Sequence, residues 1–189
     1  MKNKIIFIIL GLLVVVAIGF SISHYGTSKK ISPESVTVTD PKNATYTIDG
    51  QPVTLVNGIS SVPAAPGSAT KIVTQYFGNE VTHDFNGDGR PDVAFILTQN
   101  TGGSGTFYYV VVALNTASGF VGSQGFLIGD RIVPQTLEMS QDPKTPNVIV
   151  VNYADRKPGE SFATQPSVGK SKWLLLDPKT MQLGETVQN

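Results

Sequence analysis

Asp84, Asn86, Asp88 and Asp92 stand at positions 1, 3, 5 and 9 of DFNGDGRPD, with Gly87 and Gly89 between them and the apolar run VAFIL close behind. These are hard oxygen donors on a turning backbone, and calcium takes roughly six to eight such donors in irregular geometry. Alternate side chains of a tight loop converge, so Asp84, Asn86 and Asp88 supply the first half of a cage. Gly89 follows the third donor, where a sharp turn favours a residue free to take positive φ. Arg90 is expected to offer its backbone carbonyl with its side chain turned away, and Asp92 to close the ring behind Pro91. Three carboxylates around one divalent ion leave a slight negative excess, which a solvated loop tolerates. The same residues also suit a metal-free turn, in which the side-chain oxygens accept from nearby backbone N–H groups. An EF-hand is excluded: it needs a bidentate glutamate at position 12, and that position is Phe95.

The pattern D-x-N-x-D-G-x-x-D followed by an apolar strand resembles the calcium loops of FG-GAP and VCBS-type β-repeats. That resemblance implies an ion held by Asp84, Asn86, Asp88, the Arg90 carbonyl and Asp92 within a β-hairpin. Those families repeat the unit to build a propeller, whereas the loop occurs once here. A wider resemblance runs through DFNGDGRPDVAFILTQNTGGSGTFYYVVVALN, LIGDRIVPQTLEM and NVIVVNYADRKPGESFATQPSVGKSKWLLLD. It is to a group of uncharacterised exported bacterial proteins that share the loop, the GGSGTFYY hairpin and a Gly-Asp-Arg segment, here Gly129, Asp130 and Arg131. The resemblance implies location and fold more than activity.

Other chemistries are narrowed by composition. The formal net charge is zero, so there is no basic excess to draw in nucleic acid. Cysteine is absent, which excludes disulfides, thiolate metal sites and a cysteine nucleophile, and His24 and His83 are the only histidines. SVGKS at 167–171 lacks the earlier glycine of a phosphate loop, Thr164 standing in its place, so no nucleotide site is expected.

Three regions must position the loop. Lys2 and Lys4 precede an uncharged run of 18 residues, Ile5 to Ile22. At about 1.5 Å per residue a helix there spans roughly 27 Å, close to a bilayer's hydrocarbon core. Residues 1–22 are therefore expected to be a membrane anchor or signal segment. The membrane is contacted through residues 5–22 and the remainder lies outside the cytoplasm. Ser21 and Ser23 leave a cleavage site open. Residues 23–42 read as a polar stalk, with a short strand in VTVT at 36–39. Residues 43–189 read as the extracytoplasmic domain, with the calcium loop at 84–92.

Nineteen glycines and twelve prolines among alternating apolar residues indicate a β-rich domain with many turns. The fold class expected is mainly β: one antiparallel domain, sandwich-like or a small barrel, after an N-terminal transmembrane helix. ATYTIDGQPVTLVNG alternates on both sides of Asp49-Gly50, a favoured hairpin pair, with Tyr46, Ile48, Val53 and Leu55 facing inward. SSVPAAPGSA at 60–69 reads as a loop, and TKIVTQYF and EVTHDF as a strand and a short edge segment. DVAFILTQ and TFYYVVVALN, joined by NTGGSG, form the central hairpin, and their continuous apolar character predicts burial on both faces. FVGSQGFLIG, VPQTLEMS, NVIVVNY and KWLLLD continue in the same style.

The remaining polar features divide between structure and partner binding. NTGGSGT at 100–106 is a hairpin reversal or a ligand-contacting loop, His83 a packing residue, and GDR at 129–131 an ion pair anchoring a turn or an interaction site. A hydrolase would need two carboxylates in a cleft, drawn from Glu80, Asp130, Glu138, Asp155 or Glu160, and no spacing singles out a pair. Residues 152–173 read as a long polar loop with Arg156, Lys157, Lys170 and Lys172, flanked by Tyr153, Phe162 and Trp173, and offer a partner surface. The function expected is a membrane-anchored, calcium-stabilised β module binding an envelope protein or glycan. The alternative is an exported hydrolase acting on cell-wall or polysaccharide substrates.

Overall fold

The computed structural model describes residues 38–187. The apolar segment 5–22 and residues 23–37 of the expected stalk lie outside the described residues, together with the expectations placed on them. Among the described residues no helix is long and apolar enough to cross a membrane.

One turn of 3-10 helix, Pro41–Asn43, is capped by Asp40, whose carboxylate accepts from the Lys42 N–H. Twelve strands follow among the described residues: β1 Thr45–Ile48, β2 Gln51–Thr54, β3 Ile59–Pro63, β4 Lys71–His83, β5 Asp92–Asn100 and β6 Phe107–Thr116, then β7 Gly119–Gly122, β8 Phe126–Asp130, β9 Val133–Met139, β10 Val148–Asp155, β11 Val168–Asp177 and β12 Gln182–Thr186. They make a two-stranded β1-β2 ribbon, a sheet ordered β3-β4-β5-β6-β7 with β8 also on β6, and a sheet ordered β12-β11-β10-β9. All pairings between these strands are antiparallel.

The β5–β6 hairpin is the centre, and its apolar run divides by the two-residue period of a strand. Ala94, Ile96, Val110, Val112 and Leu114 point to one face, where Leu137, Ile149, Val151, Tyr153, Leu174 and Leu176 of the second large sheet meet them. Phe95, Leu97, Tyr109, Val111 and Ala113 point to the other, covered by Ala44, Tyr46, Ile48 and Leu55. Burial on both faces explains why the sequence shows no polar alternation here. The β1-β2 turn is Asp49-Gly50, both at positive φ (50° and 76°), as a tight twisted hairpin requires. Tyr109 ties this ribbon down by donating its hydroxyl hydrogen to Asp49 Oδ2 at 2.8 Å.

Several boundaries differ from those read in the sequence. Ile59–Pro63 pairs with β4 although it opens the Pro/Gly/Ala stretch; cross-strand bonds to residues 71–75 outweigh its poor local propensity. TKIVTQYF and EVTHDF share one strand, β4, over Lys71–His83, whose register shifts twice, with Gly78 and Asn79 at φ 128° and 55° absorbing the bulge. Of VTVT, Val38 makes an isolated parallel bridge to Gly119. The expected 152–173 loop is shorter: β10 runs to Asp155 and β11 starts at Val168. Tyr153 is consequently a core residue rather than part of an open surface.

Candidate functional site

The aspartate loop connects β4 to β5, and its side chains are organised around backbone N–H groups. Asp84 Oδ1 accepts from Gly87 N at 2.7 Å and Asp88 N at 3.1 Å, and Oδ2 accepts from Gly89 N at 2.8 Å. Asn86 Oδ1 accepts from the same Asp88 N–H at 3.0 Å, and Asn86 Nδ2 donates to Asp88 Oδ2 at 3.0 Å. Asp84, Asn86 and Asp88 thus bond the loop's own backbone and one another. Gly87 and Gly89 sit at φ 77° and 82°, which lets successive N–H groups face inward.

Asp92 differs from the other three. It is fully buried at 0% exposure, and its carboxylate clamps the base of the loop. Oδ2 accepts from Phe85 N at 2.9 Å and Oδ1 from Asn115 N at 2.7 Å. Arg90 corrects the expectation that its side chain points away: it folds back, Nε donating to Asn115 O at 2.6 Å and Nη2 reaching Asp88 Oδ2 at 2.5 Å. A guanidinium thus meets part of the loop's negative charge. Among the described residues no three His, Cys, Asp or Glu side chains come together as a ready ligand group.

The electrostatics separate the carboxylates in the same way. Bonds from backbone N–H groups, Gly89 foremost, hold Asp84 below the ordinary carboxylate value, and the Arg90 N–H leads the same effect on Asp88. Burial pushes Asp92 up, and the charges of Asp88 and Asp84 add to it, against the N–H groups of Asn115 and Phe85. The side-chain oxygens of Asp84, Asn86 and Asp88 all accept hydrogen bonds from within the loop, and the negative charge there disfavours ionisation of the buried Asp92.

A second constellation lies where β8, β10 and the 156–167 loop meet. Asp130, Asp155, Arg156, Glu160, Phe162 and Lys170 are among the residues lining a cavity of about 350 Å³. The sequence alone could not pick a carboxylate group, and here three of the five candidates share one cavity. All three are engaged. Asp130 pairs with Arg131 at 2.7 Å, Asp155 with Lys170 at 2.7 Å, and Glu160 accepts from Lys157 N at 2.9 Å. Burial works against ionisation of Asp155, yet Lys170 and the Arg156 N–H leave it below the ordinary value. A hydrolytic acid needs the opposite, a carboxyl raised toward neutrality. Of the other two, Glu80 pairs with Lys42 and Glu138 accepts from Asn152.

Arg156 is a residue whose role the sequence did not reveal. It donates to Arg131 O, Thr164 O and Phe162 O, so one guanidinium threads the loop onto the β8–β9 turn. Phe162 is 56% exposed, with the Arg131 guanidinium stacked 3.7 Å from its ring centre. Arg131 itself holds φ 50° and donates its N–H to Thr106 O, so the GDR turn is an anchored ion pair. Trp173 and Lys172 belong to β11, and Lys172 pairs with Glu185.

The lesser sequence features settle into structural roles. His83 bonds Asn147 Oδ1 at 2.9 Å and packs edge-on against Phe85. Residues 100–106 reverse the chain, with Asn100 bonding Gly102 N and Gly105 O. Most of SVGKS lies in β11, with no helix after it. Compared with protein-family models, curated proteins and solved structures, the chain matches none.

Proposed function

We propose that this chain is a membrane-anchored β module, held outside the bacterial cytoplasm by residues 5–22, that binds another envelope component, protein or glycan. The observation that carries this reading is the exposed Phe162 ring, fixed between Arg131 and the Arg156-tied loop beside a polar cavity. An aromatic face held rigidly among charged donors and acceptors suits a polar polymer or a protein side chain. The shared core of the two larger sheets supports a sandwich-like body beneath it. The hydrolase reading draws less support, because the three carboxylates of the cavity are all engaged.

Calcium at the 84–92 loop belongs to the same proposal, supported by the hard-oxygen side chains that Asp84, Asn86, Asp88 and Asp92 gather in one short loop. Those three side chains, the Arg90 carbonyl and Asp92 would hold the ion, and its contribution would be to neutralise the carboxylates and stiffen the β4–β5 connection. With millimolar calcium and an affinity near 0.1 mM, linkage adds about 1.4 kcal/mol.

The decisive experiment is co-sedimentation of the detergent-solubilised full chain with isolated cell-wall polymer and with envelope proteins fixed to beads. Phe162→Ala is expected to lose binding while keeping its melting temperature within a few degrees. Equal retention of both proteins would overturn the assigned face. Calorimetric titration of calcium, beside melting in excess chelator, tests the ion; no heat and no shift would leave a metal-free turn.

A further inference from the structure

Under the β1-β2 ribbon lies a cavity of about 480 Å³ that neither the aspartate loop nor the Phe162 face accounts for. Ile48, Val53, Val62 and Ile72 give it apolar walls. Gln99 of β5 and Asp49 of the ribbon turn line it as well. The volume falls within the range of small-molecule sites, and a few polar groups in an apolar hollow are what fix a ligand's orientation.

The polar groups are unevenly satisfied. Gln99 is 7% exposed, and its Nε2 donates to Thr74 Oγ1 at 3.0 Å. Among the described residues nothing donates to its Oε1. No fully enclosed side-chain oxygen or nitrogen lacks a partner among the described residues, so this oxygen keeps accessible surface, and Gln99 lines the cavity. Asp49 is the one charged side chain among the described residues lining the space. Tyr109 occupies its Oδ2, and Oδ1 has no partner among the described residues. The hollow thus presents acceptors with one negative charge, and no cation is among the described residues that line it.

We infer that this cavity binds a primary ammonium on a short unbranched aliphatic chain, with its N–H groups on Asp49 Oδ1 and Gln99 Oε1 and its methylenes against Ile48, Val62 and Ile72. An anion meets repulsion from Asp49, and a plain hydrocarbon leaves Gln99 Oε1 unpaired. A free diamine and a lysyl side chain of a polymer carry the same chemistry.

The test follows the Gln99 side-chain amide and isoleucine methyl signals of the full chain during titration with ethyl-, propyl-, butyl- and pentylammonium, pentanol and pentanoate. Saturable shifts are expected at Ile48, Ile72 and Gln99, with affinity rising about fourfold per added methylene. Pentanoate is expected to bind at least tenfold more weakly than pentylammonium. Asp49→Asn keeps an acceptor for Tyr109 and tolerates the turn, and should weaken pentylammonium at least fivefold. Val62→Trp, on an edge strand, should abolish binding with the β5–β6 amide signals unchanged. Cadaverine and Nα-acetyl-lysinamide distinguish the two sources, and saturation by either supports the site. Equal binding of amine, alcohol and acid, shifts scattered away from these residues, or no saturation by any amine would overturn it.

Discussion

Asp92 and Asn115, 23 residues apart, close the base of the aspartate loop: the Asn115 N–H donates to Asp92 Oδ1 at 2.7 Å, and its carbonyl accepts from Arg90 Nε at 2.6 Å. The loop is therefore joined to the end of β6 and not only to its own strands. Asp92 supports the fold by orienting two backbone groups, whereas Asp84, Asn86 and Asp88 hold the shape of the tip. The two layers should respond differently to mutation.

Asp92→Asn places an NH2 group against Phe85 N or Asn115 N, leaving a buried donor without an acceptor. A loss of about 1–3 kcal/mol in denaturant unfolding is expected already in chelator, and a larger one with calcium, because Asp92 is also one of the proposed ligands. Asp88→Ala should cost less in chelator and remove most of any calcium-dependent gain. Equal losses for Asp88→Ala in both buffers would make that residue a plain turn former.

Arg90→Ala removes the intramolecular counter-ion of Asp88. An exposed ion pair contributes little, so calcium affinity is expected to rise by about fivefold at most, with a small drop in the metal-free melting temperature. Titration of wild type and variant side by side decides it; weaker calcium binding in the variant would show that Arg90 assists the ion rather than competing with it.

Much of this was legible because it is local or periodic. The unbroken apolar run announced burial on both faces of β5 and β6, Asp49-Gly50 announced its own turn, and the Asx-Gly spacing marked 84–92 as a tight loop. What stayed hidden depends on distant partners. Nothing near Arg90 in sequence signals Asn115 as the acceptor for its side chain, and nothing near Arg156 points to Arg131. Tyr153 looked like the edge of a polar loop, because only pairing with β9 and β11 shows that β10 extends to Asp155. The residues at 59–63 form a strand because β4 offers them partners, a tertiary effect that overrides local propensity.

Acid stability follows from the loop's carboxylates. Asp84 and Asp88 have folded values below the ordinary 3.8, so the stability they contribute is present above that value and is lost as pH falls through their folded ones. Asp92 has the opposite sign: its raised value makes its ionised form a burden at neutral pH, relieved as pH falls. Asp88→Asn is therefore expected to flatten the acid limb of a stability profile below about pH 4. Bound calcium should move that limb to lower pH, since an ion favours all three ionised carboxylates. Acid titration followed by tryptophan fluorescence, with and without calcium, measures both; an unchanged limb in the variant would remove Asp88 from the acid transition.

Arg156→Lys isolates the tie that holds the Phe162 face. Lysine keeps the charge but lacks the planar fork that reaches the carbonyls of Arg131, Thr164 and Phe162 together. Those contacts join one loop to a turn and lie outside the two cores, so global unfolding is expected to shift by about 1 kcal/mol or less. The local effect should be larger: amide exchange across residues 157–166 is expected to quicken by an order of magnitude or more, and Phe162 to lose its fixed place beside Arg131. If binding of the envelope partner falls with that loss of order, the rigid ring rather than the charge is what the partner recognises. If exchange quickens and binding is retained, recognition rests with Lys170, Asp155 and the strands beneath.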